Sequence, residues 1–169
     1  MTAADRRGET GTWVLLSYRI PREPSTPRIT IWRKLKRLGV AQISDGVVAL
    51  PADARTREHL EWIAEEVIES GGAAMLWVAR PDTAASERAI AGAMADARAG
   101  EYAAVSAEAA TAGALDPTAR ESLARRLRAE LRRIQRRDYF PPTEREQATA
   151  AVEALTGGAV AVAPSQTPS

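Results

Sequence analysis

The sequence has no cysteine, one histidine and one phenylalanine in 169 residues. The missing cysteines exclude disulfides, thiolate metal sites, thiol nucleophiles and thiol redox chemistry together, and they fit the cytosol. Nucleophilic catalysis needs a base beside its nucleophile, and His59 is the only imidazole available. It precedes the inward Leu60 in an acidic helix and reads as a surface or helix-end histidine. Metal sites are left with carboxylates, which on that helix point outward as a solvated face. No phosphate-binding glycine loop is present, since Gly71-Gly72 is explained as a helix stop. No enzymatic activity, metal or cofactor is therefore expected. Residues 1–12 lack the apolar stretch of a signal peptide, and no apolar run approaches the roughly 20 residues of a membrane helix. A cytoplasmic protein with no membrane partner is expected.

What is present is strongly segregated charge. The formal net charge of +1 hides two basic blocks. Between residues 19 and 37, Arg19, Arg22, Arg28, Arg33, Lys34, Lys36 and Arg37 face Glu23 alone. Between residues 120 and 137 stand eight arginines, opposed by Glu121 and Glu130. Residues 53–72 run the other way, with Asp53, Glu58, Glu61, Glu65, Glu66 and Glu69 against Arg55 and Arg57. Such blocks suggest faces with different partners.

The apolar fraction of 45% is enough for a real core. Trp13 to Ile20 is apolar on both alternating faces and reads as a buried strand, stopped by Pro21. Ser25 or Thr26 with Pro27 opens a helix that runs to Gly39, with Ile31, Leu35 and Leu38 on one stripe. Residues 40–44 and 47–50 form two strands joined by Asp45-Gly46, a dipeptide that supplies the positive φ angles of a two-residue hairpin. A helix over 56–70 turns Leu60, Ile63 and Val67 inward, and a fourth strand spans 73–78. The order strand, helix, two strands, helix, strand predicts an α+β fold: a ferredoxin-like βαββαβ domain over 13–80. Its helices lie on one side of the sheet, so the other side needs a cover from the second half of the chain or from another copy.

An all-helical extension is expected over 86–156. Ser86 starts a helix to about Gly100. The alanine-rich 102–113 is expected to be a separate helix with a weakly packed or mobile end. Asp116-Pro117 starts a helix with Leu123, Leu127, Leu131 and Ile134 on one stripe, and Thr143 with Glu146 forms a capping box for a last helix. Residues 1–12 and 157–169 are expected to be flexible or disordered.

Two surfaces are candidates for binding. On a helical wheel Arg33, Lys36 and Arg37 lie opposite the Ile31 stripe, with Trp32 at the border. Cations flanking an aromatic suit nucleic-acid phosphates, with the ring stacking on a base or packing on sugar; a solvated face with a half-buried tryptophan is the plain alternative. Arg19, Arg22 and Arg28 are candidates to gather around an oxyanion near the helix N-terminus, with Trp13 and Trp32 close to that loop. In the second block, Arg125, Arg128, Arg132 and Arg136 are candidates for DNA contact or for docking on the acidic helix of a second copy.

The run from Trp13 to Ser25 (WVLLSYRIPREPS), Arg28, Trp32 to Gly39 (WRKLKRLG), Asp45-Gly46-Val47, Leu50-Pro51 and Thr56 to Leu60 (TREHL) resembles the N-terminal domain of the ChrB family of chromate-resistance proteins. The likeness continues to Arg137-Asp138-Tyr139-Phe140-Pro141 and the last helix. It implies a cytoplasmic regulator of a chromate efflux operon that binds promoter DNA and responds to chromate. Full-length members carry a C-terminal domain that this chain lacks, so constitutive binding is expected if sensing resides there. The resemblance transfers no residue-level site. A DNA-binding regulator is the leading expectation, beside a homodimeric interaction module and a chromate- or oxyanion-binding accessory protein. Small ferredoxin-like CRISPR-associated nucleases place an acidic metal ligand at the end of the first strand; here that end is Ser17-Tyr18-Arg19, which argues against a metal-dependent nuclease.

Overall fold

The computed structural model describes residues 11–157. Four strands, β1 (Trp13–Arg19), β2 (Ala41–Ser44), β3 (Val47–Pro51) and β4 (Ala73–Ala79), form one sheet in the order β2-β3-β1-β4. All three pairings are antiparallel. Helix α1 (Thr26–Leu38) joins β1 to β2, and α2 (Ala54–Glu69) joins β3 to β4. Each strand-helix-strand unit is thus split by a strand of the other. The architecture is α+β, as expected.

The sheet register follows from side-chain alternation. Val14 pairs with Leu50 and Val78, and Leu16 with Val48 and Leu76. Val14, Leu16, Val48 and Leu50 are buried with Ile31 and Leu35 of α1 and with Leu60, Ile63 and Val67 of α2. Burying an apolar side chain of this size contributes about 1.5–3 kcal/mol, so this layer holds the helices to the sheet.

Local chemistry sets the helix ends. Pro27 occupies the first turn of α1, and Gly39 caps it at φ 71°. Ser25 is the N-cap, but its side chain makes no capping hydrogen bond. Helix α2 starts two residues earlier than the periodicity predicts. Asp53 accepts from the Thr56 backbone N–H at 2.7 Å, and the Thr56 hydroxyl accepts from the Asp53 N–H at 3.0 Å. The hairpin also differs. Only Gly46 has positive φ (74°), while Asp45 keeps negative φ; the mismatch is taken up by a bulge between Gln42 and Ser44.

Among the described residues, 11–96 and Arg137–Phe140 form one compact unit, and Ala97–Arg136 with 141–157 form a second. In the first unit, the Trp13 ring stacks on Phe140 with centroids 5.9 Å apart, and its Nε1 donates to Glu87 at 3.0 Å. Met94 is buried in the same core, with Ile90, Tyr139 and Phe140 packed against it. One end of the sheet's far face is thus covered. At β4 it is open: Met75 is 55% and Trp77 52% exposed.

The second unit contains the end of α3 (Ala84–Ala110), a 3-10 turn (Thr111–Ala114), α4 (Pro117–Gln135) and α5 (Glu144–Gly157). Its core is Tyr102, Val105, Leu123, Leu127, Leu131, Ile134, Ala148 and Val152. The expected break near Gly100 does not occur, and α3 is one helix of 27 residues. A helical glycine costs only about 1 kcal/mol relative to alanine, and the alanines around it are the best helix formers. Nor is the end of the 102–113 stretch weakly packed, because Val105, Ala109 and Ala112 are buried along with Tyr102. Of the expected flexible termini, residues 1–10 and 158–169 lie outside the described residues. Gly11 donates its N–H to Glu87 at 2.7 Å, and Thr12 accepts from Ala52 at 2.9 Å, so these two are tied down.

Candidate anion-binding cleft and basic helix faces

The strand order puts three chain segments at one end of the sheet: the exit of β1, the β2–β3 hairpin and the α2–β4 turn. Between them and the start of α1 lies an open cleft of about 1170 Å³. It is lined by Tyr18 and Arg19 from β1, Arg22 from the following loop, and Arg28, Ile29 and Trp32 from α1. Asp45, Gly46 and Gly72 line it from the two turns.

Backbone packing fixes this end. The Tyr18 N–H donates to the Gly46 carbonyl at 2.7 Å. A Cβ on Gly46 would lie 2.5 Å from the Tyr18 oxygen, and one on Gly72 only 2.4 Å from the Arg19 oxygen. Both turns therefore press against β1 at distances that only glycine permits.

The cleft's charge is positive. Arg19, Arg22 and Arg28 oppose Asp45, and no ion pair among the described residues engages the three arginines. Burial raises the Tyr18 hydroxyl above its usual pKa; Arg28 lowers it in part, and Asp45 raises it further. The phenol therefore remains a hydrogen-bond donor at neutral pH. Three guanidinium groups with a donor hydroxyl suit an anion. Trp13, by contrast, lies at the opposite end of β1 and is buried; of the two tryptophans expected near the arginine loop, only Trp32 lines the cleft.

Trp32, 55% exposed, stands where the cleft meets the outer face of α1. The Lys36 ammonium sits over its ring, 5.5 Å from the centroid. Arg33, Lys36 and Arg37 are exposed, and no ion pair among the described residues uses them. Lys34 differs: it turns toward α2 and pairs with Glu66. The first basic block thus divides into a cleft group, an outward group and one neutralised lysine.

The second block lies in the other unit. Arg125, Arg128, Arg132 and Arg136 share one face of the α4 helix and its cap, opposite the buried Leu127, Leu131 and Ile134. Arg125 reaches Glu121 at 3.7 Å, and Arg128 donates to the Thr156 hydroxyl. Arg132 and Arg136 are exposed. Neighbouring arginines are paired more fully: Arg126 makes a two-pronged contact with Glu108, and Arg133 meets Glu130 at 2.8 Å.

Sequence reasoning missed Asp45, Gly46 and Gly72 as cleft residues, because each is accounted for by its own turn. The split strand order was the signal that both turns share the end of the sheet where β1 finishes. Among the described residues no cluster of three or more metal-ligating side chains occurs, and no helix is long and apolar enough to cross a membrane.

A family model described as Protein ChrB, N-terminal, matches residues 28–160. The match begins at Arg28, so β1, Arg19 and Arg22 lie before it. Neither the curated proteins nor the solved structures contain a match.

Proposed function

The chain belongs to the ChrB N-terminal family, and from that premise we propose that it is a DNA-binding regulator of chromate resistance that engages DNA through the outer face of α1. The observation that carries this reading is the exposed set of Arg33, Lys36 and Arg37 around Trp32, on a helix whose opposite stripe is buried. Cations without carboxylate partners are free to displace counterions from phosphates, and the tryptophan offers a flat surface to sugar or base. The Arg125/Arg128/Arg132/Arg136 face of α4 supplies a second set of phosphate contacts. The reading requires no catalytic group.

The test is a gel-shift titration against the gene's own upstream region. Affinity should fall steeply with added salt, with a slope that records the phosphates contacted. Arg33→Glu, Lys36→Glu and Arg37→Glu together should abolish binding. Binding that is absent, or unchanged by salt, would refute the proposal.

The cleft favours a second reading. Arg19, Arg22 and Arg28 line one cavity with Trp32, as an oxyanion-binding accessory protein would require. Sulfate or chromate at millimolar concentration should then change tryptophan emission, and Arg28→Gln should remove the response. An unchanged spectrum in the parent protein counts against an anion site.

A further inference from the structure

The sheet's two outer strands are built differently. β2 has four residues, two of them the polar Gln42 and Ser44, and carries a bulge. Those are devices that keep an edge from pairing with another chain. β4 has none of them. Its seven residues, Ala73-Ala74-Met75-Leu76-Trp77-Val78-Ala79, contain no charge, no proline and no bulge, and its pairing with β1 is continuous. Among the described residues no strand pairs with its outer side. Met75, Trp77 and Val78 are 55%, 52% and 61% exposed, so apolar surface borders the free edge on both faces.

From this edge we infer that the chain forms a two-fold dimer in which β4 pairs antiparallel with β4 of a second copy, making one eight-stranded sheet. The sequence of β4 is self-complementary about Leu76. Running it against itself with the two-fold axis at Leu76 sets Met75 opposite Trp77, Ala74 opposite Val78 and Ala73 opposite Ala79. Large residues then meet large and small meet small or medium. Each exposed thioether comes beside an exposed indole, a favourable sulfur–aromatic pair. An uncharged strand meets its own copy without like-charge repulsion, and a two-fold axis makes every contact twice. This interface uses no residue of α1, and of the cleft lining it uses only Ala73.

The test is sedimentation or light scattering of the whole chain across micromolar concentrations. A dimer is expected. Met75→Lys and Trp77→Glu, each at an exposed position, should weaken it by about tenfold or more, since each change alters two cross-strand pairs. Circular dichroism should show the folded spectrum unchanged. Combining Met75→Lys with Trp77→Glu should restore much of the dimer, because each introduced ammonium then faces an introduced carboxylate of the other copy. A monomer at all concentrations overturns the inference, as does a dimer indifferent to both single changes. A double variant no tighter than the singles overturns the Leu76-centred register.

Discussion

At Asp53 one carboxylate fixes where α2 begins, and the same contact makes it sensitive to acid. Its acceptance of the Thr56 backbone N–H is the main reason its pKa lies below the usual carboxylate value. A depressed folded-state pKa contributes stability above the unfolded value of about 3.9, and that contribution is lost as pH falls through the lower folded value. Asp53→Ala should cost about 1 kcal/mol in urea unfolding at neutral pH. Asp53→Asn keeps a capping oxygen and should remove only this residue's share of the acid-side loss. At the cleft, Gly72→Ala forces a methyl against the Arg19 and Val67 carbonyls. It should lower the unfolding midpoint by more than the glycine-to-alanine gain in chain entropy, which is about 0.4–1 kcal/mol.

Among the elements, α3 offers the opposite test. Gly100 is exposed inside a continuous helix, with open space where an added methyl group would project. Gly100→Ala should therefore stabilise the protein by about 0.5–1 kcal/mol in chemical denaturation. How much of the fold the sequence revealed depended on which forces were local. Helices α1 and α4 were legible because Pro27, Gly39 and Asp116-Pro117 mark their ends, and because Leu35 or Leu127 repeats at helical spacing. The full length of α3 was not, since Gly100 looks like a stop unless the alanines on both sides are weighed against it. The capping role of Asp53 was hidden because its partner is a threonine rather than the usual glutamate or glutamine. The arginines of the cleft were legible as a charge cluster. Their floor of Gly46 and Gly72 was not, because two distant turns meet there only once the strands are ordered.

For the whole molecule, two separate cores mean that stability has two addresses. Phe140 lies more than a hundred residues from Trp13 in sequence yet stacks on it in the first unit. Phe140→Ala should expose Trp13, shift its emission to longer wavelength and lower the first unit's stability. The loss should be smaller than the cost of truncating a fully buried phenylalanine, about 3–5 kcal/mol, because Phe140 is only partly buried. Leu127→Ala should act on the second unit instead, costing about 2–5 kcal/mol and leaving the Trp13 environment unchanged. Tryptophan emission against helical circular dichroism in one urea series separates the two effects.

The return of Arg137–Phe140 to the first unit also sets a timetable for synthesis. The ribosome makes β1 to β4 first, then the rest of α3 and all of α4, and only afterwards the ring that covers Trp13. At 5–20 residues per second, the stretch from Asp96 to Arg137 takes on the order of 2–8 s. For that interval the nascent sheet has its strands, both of its helices and the Glu87 contact to Trp13, but lacks the Phe140 ring that stacks on the tryptophan, which is when a chaperone would have a surface to hold.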